Sequence, residues 1–140
     1  QKLPVLLHTV NDIERVGDHA ENLVELVERK MDQKLQFSGE AMDELKGMYR
    51  EVDEMLGDVT AALKDSDMIS AKRALKREET LNNLHIKLRQ NHVQRLDEGK
   101  CDLLSGLVFL DFVQNFEKIG DHLTNIAQSV LGGLRWNGSS

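Results

Sequence analysis

The chain has 140 residues, of which 40% are hydrophobic, 30% charged and 4% aromatic, with one Pro and one Cys. That length suits one domain able to bury roughly two thirds of its unfolded surface, and a lone thiol rules out an internal disulfide framework and a Cys-rich zinc site. A net charge of −6 and a pI near 5.3 speak against nucleic acid or anionic lipid as the main partner.

A single thiol fits a reducing compartment such as the cytoplasm. No run approaches the ~18 apolar residues of a membrane-spanning helix. The chain begins with Gln1, not Met, and no signal peptide precedes the first helical pattern. The expectation is therefore a soluble fragment of a longer chain.

Helical spacing dominates and strand signals are nearly absent. The first segment, about residues 4 to 33, has Pro4 near its first turn, where a missing N–H costs nothing. Its apolar stripe is Leu6, Val10, Ile13, Ala20, Val24 and Val27, with Gly17 inside it, and the expectation is that this stripe faces the core. A second helix opens with Ser38 as N-cap and with Phe37 and Met42 placed as a hydrophobic staple. Its seam reads as a heptad: Met42, Leu45, Tyr49, Val52, Leu56, Val59, Leu63.

Asp65-Ser66-Asp67 breaks that pattern and caps a third helix over 68–97, which Gly99 stops. A fourth helix, about 102 to 133, offers Leu103, Leu107, Phe109, Val113, Phe116, Leu123, Ala127 and Val130 as apolar surface. Short links force antiparallel neighbours, so the spacing predicts an all-α, up-down four-helix bundle over 1–134. Residues 135–140 have no periodicity and read as a flexible tail.

One internal repeat carries most of the information. NDIERVGDHAENL at 11–23 returns as QNFEKIGDHLTNI at 114–126, keeping Glu14/Glu117, Gly17/Gly120, Asp18/Asp121, His19/His122 and Asn22/Asn125. Apolar periodicity alone does not require the same carboxylates twice. Glu and Asp at i and i+4 share a helix face, so each copy can aim two carboxylates at one point, where like charges need a cation or donors beside them. In an up-down bundle Glu14, Asp18, Glu117 and Asp121 stand at one depth, together with Glu78, Asn82 and His85 of the third helix.

Glu78, His85 and His92 share a face with Ala74, Leu81 and Leu88. Ionisable groups on a buried seam must be paired or coordinated. Carboxylates with occasional imidazole favour Mg, Mn, Fe or Zn. A ferritin-like di-iron centre needs Glu-x-x-His, whereas here His follows Glu at i+5. Paired His85 and His92 in the core, and structural His19 and His122, are the plainer readings of the imidazoles. No Gly-rich phosphate loop, nucleophile elbow or Cys/His spacing signals turnover, so no enzyme is expected.

ERVGDHAENL (14–23) and EKIGDHLTNI (117–126) resemble the repeated motif of the PhoU family, whose acidic core is E/D-x-x-x-D. The wording NDIERVGDHAEN is most similar to the PhoU-like domain that follows the membrane part of bacterial sodium/phosphate cotransporters. FSGEAMDELKGMYREVDEML (37–56) and REETLNNLHIKLRQNHVQRL (77–96) resemble the first two helices of a PhoU repeat. On that reading the first helix closes a repeat otherwise lost, and the other three make a complete one.

The resemblance implies a helical regulator of phosphate uptake on the cytoplasmic side of the plasma membrane, whose partner is the membrane-transport part of the same parent chain. Phosphate would be the regulated solute, and a homodimer is one option. It also implies metal ions, iron or zinc, with Glu14, Asp18, Glu117 and Asp121 as ligands and Glu78 as a further donor. Asn82 stands where many members carry a second acid on that helix. A carboxylate-bridged metal enzyme and a purely structural oligomerisation bundle, with Arg15 and Lys118 pairing the motif acids, are the alternatives.

Overall fold

The computed structural model describes residues 2–133; the expected tail at 135–140 lies outside them. The described residues form four helices and no strand: α1 (Lys2–Asp32), α2 (Gly39–Asp65), α3 (Met68–Asp97) and α4 (Leu103–Leu131). None of these helices is long and apolar enough to cross a membrane.

The helix starts follow local chemistry. Ser38 accepts from the Ala41 N–H, Asp67 from the Ile69 and Ser70 N–H groups, and Asp102 from the Ser105 N–H. Each cap satisfies donors the first turn cannot pair internally. Gly99, at φ +70°, turns the chain out of α3 in a left-handed conformation that costs other residues more.

Helices α2, α3 and α4 pack on one another, while α1 packs on α4 alone. The core is thus a three-helix unit with a fourth helix laid on one member, and not a closed ring of four. The α2 seam also departs from the sequence expectation. Leu45, Val52 and Val59 are buried as expected, but their companions are Ala41, Met48, Met55 and Ala62, while Tyr49 and Leu56 are exposed. Both sets have heptad spacing and share every other member, so the true seam lies one residue toward the N-terminus. On α4, Phe109, Val113, Phe116, Leu123, Ala127 and Val130 are buried, whereas Leu103 and Leu107 are exposed.

The larger correction concerns α1. The stripe expected to face the core is largely on the outside. Val10, Ile13, Val24 and Val27 are 38%, 40%, 57% and 46% exposed, whereas their counterparts 103 residues on, Val113, Phe116, Ala127 and Val130, are 0%, 8%, 0% and 2% exposed. Helix α1 meets α4 instead through Thr9, Asp12, Val16, His19, Leu23 and Leu26, a face turned toward one side of that stripe.

Candidate functional site: a twin-motif clasp between α1 and α4

The two motif copies meet each other. His19 Nδ1–H donates to Asn115 Oδ1 at 2.9 Å, and Asn22 Nδ2 donates to the same oxygen at 3.1 Å. In the mirrored half, His122 Nδ1–H donates to Asp12 Oδ1 at 2.9 Å, and Asn125 Nδ2 donates to that oxygen at 3.3 Å. Asp12 and Asn115 are themselves counterparts 103 residues apart. Each acceptor oxygen therefore takes one imidazole N–H and one amide N–H, and a local two-fold axis relates the halves.

The proton positions follow from the partners. Asn115 Nδ2 donates to the Asp111 carbonyl at 2.8 Å, which leaves Oδ1 as its acceptor. His19 Nδ1 must then carry its proton, and a carboxylate at Asp12 requires the same of His122. On the axis the two imidazoles stack, with centroids 5.8 Å apart and planes at 24°. His19 Nε2 is buried with no partner. Antiparallel pairing follows, because residue numbers rise along α1 as they fall along α4. The histidines expected to be structural are the centre of this interface, and Asp12 and Asn115 are the members that sequence reasoning missed. Their signal was present, since both stand seven residues before the repeated His.

Glycine acts differently in the two copies. A Cβ at Gly120 would lie 2.2 Å from Leu81 Cδ2, so α3 comes close to α4 there; a Cβ at Gly17 would meet nothing within 4 Å. The carboxylates part company in the same way. Glu117 accepts from His85 Nδ1 at 2.7 Å across the α3–α4 contact, whereas Glu14 is exposed. Asp18 is exposed and lies 3.7 Å from Arg15, and Asp121 is exposed. Glu78 is half-buried on α3 and Asn82 is exposed.

The iron or zinc expectation meets a poor donor set here. Among the described residues no three His, Cys, Asp or Glu side chains come together as a metal site would need. Glu14–Asp18 and Glu117–Asp121 are two carboxylates on one helix each, and Glu78 completes neither pair as a group of three. The described residues of this chain by themselves assemble no closed cation cage.

The α2–α3 contact carries a second polar cluster. Buried Arg95 donates to Glu44 at 2.6 Å, to Glu40 at 3.1 Å and to His92 Nδ1. His92 stacks on Phe109 at 4.1 Å, and its Nε2 lies 3.7 Å from Cys101 Sγ. That Cys/His approach had no signature in the sequence, because it spans the α3–α4 turn. Burial pulls the His92 pKa down, with Arg95 adding to the effect, while burial and then Asp102 push the Cys101 thiol up. Both groups are held neutral, the reverse of the thiolate–imidazolium pair that nucleophilic catalysis uses. At the other end of the hairpin Asp58 accepts from Arg73 at 3.1 Å and from Arg77 at 2.9 Å.

Comparison with known proteins places the chain. It is 29% identical over 126 residues to the phosphate-specific transport system accessory protein PhoU homolog 1 of Thermotoga maritima, covering 90% of this chain and 53% of the relative. It is 25% identical over 122 residues to the PhoU homolog of Clostridium acetobutylicum, covering 87% and 54%. A third relative, the PhoU homolog of Deinococcus radiodurans, is 24% identical over 130 residues, covering 90% and 58%. The chain thus spans about half the length of the curated relatives it matches. No solved structure matches significantly. The PhoU domain model matches residues 45–130, from within α2 to the end of α4 and so across most of the three-helix unit, and the chain belongs to the PhoU family.

Proposed function

We propose that this chain is a regulatory domain of phosphate transport, acting through contact with a membrane transporter and not through turnover. The observation that carries this reading is membership of the PhoU family, joined to relatives named as accessory proteins of phosphate-specific transport. The chemistry of the site supports it. The repeated motif serves as a helix–helix clasp, and the nearby Cys–His pair is neutral.

In its finer form the proposal makes the parent a bacterial sodium/phosphate cotransporter, with this domain on the cytoplasmic side. A net charge of −6 favours the Lys- and Arg-rich loops that face the cytoplasm. The test is phosphate uptake by cells whose parent gene lacks the segment for residues 1–133. Uptake is expected to persist at high external phosphate, where unaltered cells curtail it. Unchanged curtailment, with the truncated parent present at normal level, overturns the proposal.

A metal ion is the second reading, favoured by the repetition of Glu-x-x-x-Asp at 14–18 and 117–121. Each pair offers two carboxylates, so iron or zinc would need donors from the remainder of the parent protein. Metal analysis of the untagged parent and of this chain should then find ions in the parent alone. A metal-free parent removes ions from the reading.

A further inference from the structure

Between the start of α1 and the end of α4 lies a cleft of about 450 Å³, lined by His8, Asp12, Asn125, Gln128 and Ser129 among others. That volume suits a small organic group rather than a bare ion. Asp12, only 8% exposed, is its buried charge, and the two carboxylate oxygens have different roles. Oδ1 takes the His122 and Asn125 donors of the clasp. Oδ2 has no partner among the described residues, yet it is not a sealed atom like His19 Nε2, and so it opens to the cleft.

The other half of the clasp shows what is unusual here. Asn115 accepts at Oδ1 from His19 and Asn22 and donates from Nδ2 to the Asp111 carbonyl, so both ends of a neutral amide are engaged. Asp111 is the counterpart of His8. On α1 the matching pair is Asp12 Oδ2 and the His8 carbonyl, two acceptors with no donor for Oδ2 among the described residues. A partly desolvated carboxylate oxygen calls for a charged donor.

The walls are acceptors too. Asn125 gives its Nδ2–H to Asp12 and retains Oδ1, while the Ser129 hydroxyl donates to the Asn125 carbonyl at 3.1 Å and retains its lone pairs. Gln128 adds an exposed amide. One carboxylate oxygen among neutral acceptors matches a planar cation with several N–H donors. A metal ion would want more anionic ligands than Asp12 alone supplies.

We propose that this cleft binds a guanidinium group, with Asp12 Oδ2 as its charged partner and the Asn125, Gln128 and Ser129 oxygens as neutral ones. A free guanidino compound and an arginine side chain of a partner present the same chemistry to it. The inference stands on the cleft and does not depend on the phosphate reading.

The test follows the Asn125 and Gln128 side-chain amides of the full chain by NMR, at about pH 8, where free imidazole is neutral. N-acetylarginine amide and agmatine are the two probes. Saturable shifts are expected with both, weakening as salt rises, and the tighter probe identifies the source as side chain or free compound. N-acetylcitrulline amide, the neutral isostere, should bind about tenfold or more weaker. Asp12→Asn installs the residue found at the mirrored position, so the clasp retains its acceptor. It should weaken the arginine derivative about tenfold or more with circular dichroism unchanged. Gln128→Arg, at an exposed position, sets the chain's own guanidinium at the cleft and should abolish binding. The absence of a saturable shift with either probe, equal binding of the arginine and citrulline derivatives, or binding indifferent to Asp12→Asn overturns the proposal. Saturation of the same signals by zinc chloride at lower concentration than either probe overturns it too, in favour of a metal ion.

Discussion

The α1 and α4 copies of the motif share a sequence, a helical conformation and a common interface, yet they stand in different surroundings. On α4 the apolar seam is core, glycine admits Leu81, and Glu117 has His85 as partner. On α1 the same seam, glycine and glutamate face outward. The comparison separates two jobs that a repeated motif performs together. The Asp/Asn, His and Asn positions join copy to copy. The Gly, the Glu and the apolar positions receive a hairpin, and only one copy has received it here.

Paired substitutions at equivalent positions break this comparison most sharply. Phe116→Ala should cost about 3 kcal/mol of unfolding free energy, because it removes a large buried ring from the core. Its counterpart Ile13→Ala should stay within about 0.5 kcal/mol. Urea unfolding followed by circular dichroism measures both, and comparable losses would show that α1 is covered in solution. Next come the glycines. Gly120→Leu drives a side chain into Leu81 and should cost about 1–3 kcal/mol or more. Gly17→Leu enters open space and should stabilise the chain by about 0.5–1 kcal/mol through helix propensity.

The clasp itself comes next in size. Asn115→Ala leaves the His19 and Asn22 donors without their acceptor and should cost about 1–3 kcal/mol. Because α1 rests on α4 alone, the loss should appear as faster amide exchange in α1 with α2–α4 protection unchanged. Asp12→Ala should do the same from the other half, whereas Asp12→Asn, which restores the acceptor its counterpart uses, should cost less. Global destabilisation from Asn115→Ala would mean that α1 and the three-helix unit unfold as one.

The parts legible in the sequence are those set by local chemistry. Ser38, Asp67, Asp102 and Gly99 mark helix ends because caps act within one turn, and the observed α3 matches the expected 68–97 span. The twin motif was visible as identity at a fixed offset. What was not legible is which face of a helix meets which neighbour. In α2 the two candidate seams share Leu45, Val52 and Val59, and small Ala41 and Ala62 carry little weight in a hydrophobic pattern although they let helices approach. In α1 the strongest apolar stripe looked like core, and a mixed face, with Asp12 and His19 beside Val16, Leu23 and Leu26, made the contact. Hydrogen bonds between Asp12, His19, Asn22 and the matching α4 residues fix the register of that packing, and apolar periodicity cannot detect them. The carboxylates, level with one another across the clasp, part by face for the same reason: Glu117 faces α3 while Glu14 faces outward.

The smallest effect concerns pH and acts on the covered copy alone. His92 stacks on Phe109, whose counterpart on α1 is Leu6, a residue with no imidazole over it among the described contacts. Burial and the neighbouring Arg95 hold the His92 pKa below its ordinary 6.5, outweighing the opposing pull of Glu44. The unfolded chain therefore binds the proton more readily than the folded one once the pH falls below about 6.5. Stability contributed by neutral His92 is present above that pH and is lost as the pH falls toward its lowered folded value. Unfolding free energies measured from pH 7.5 to 5 should decline. A His92→Gln variant, which keeps an acceptor for Arg95, should remove from that slope at most the one proton His92 supplies. Hydrogen exchange should place the loss in α2–α4 and spare the α1 clasp. An acid-induced opening confined to α1 would instead overturn the assignment to His92 and move the sensitivity away from the covered copy.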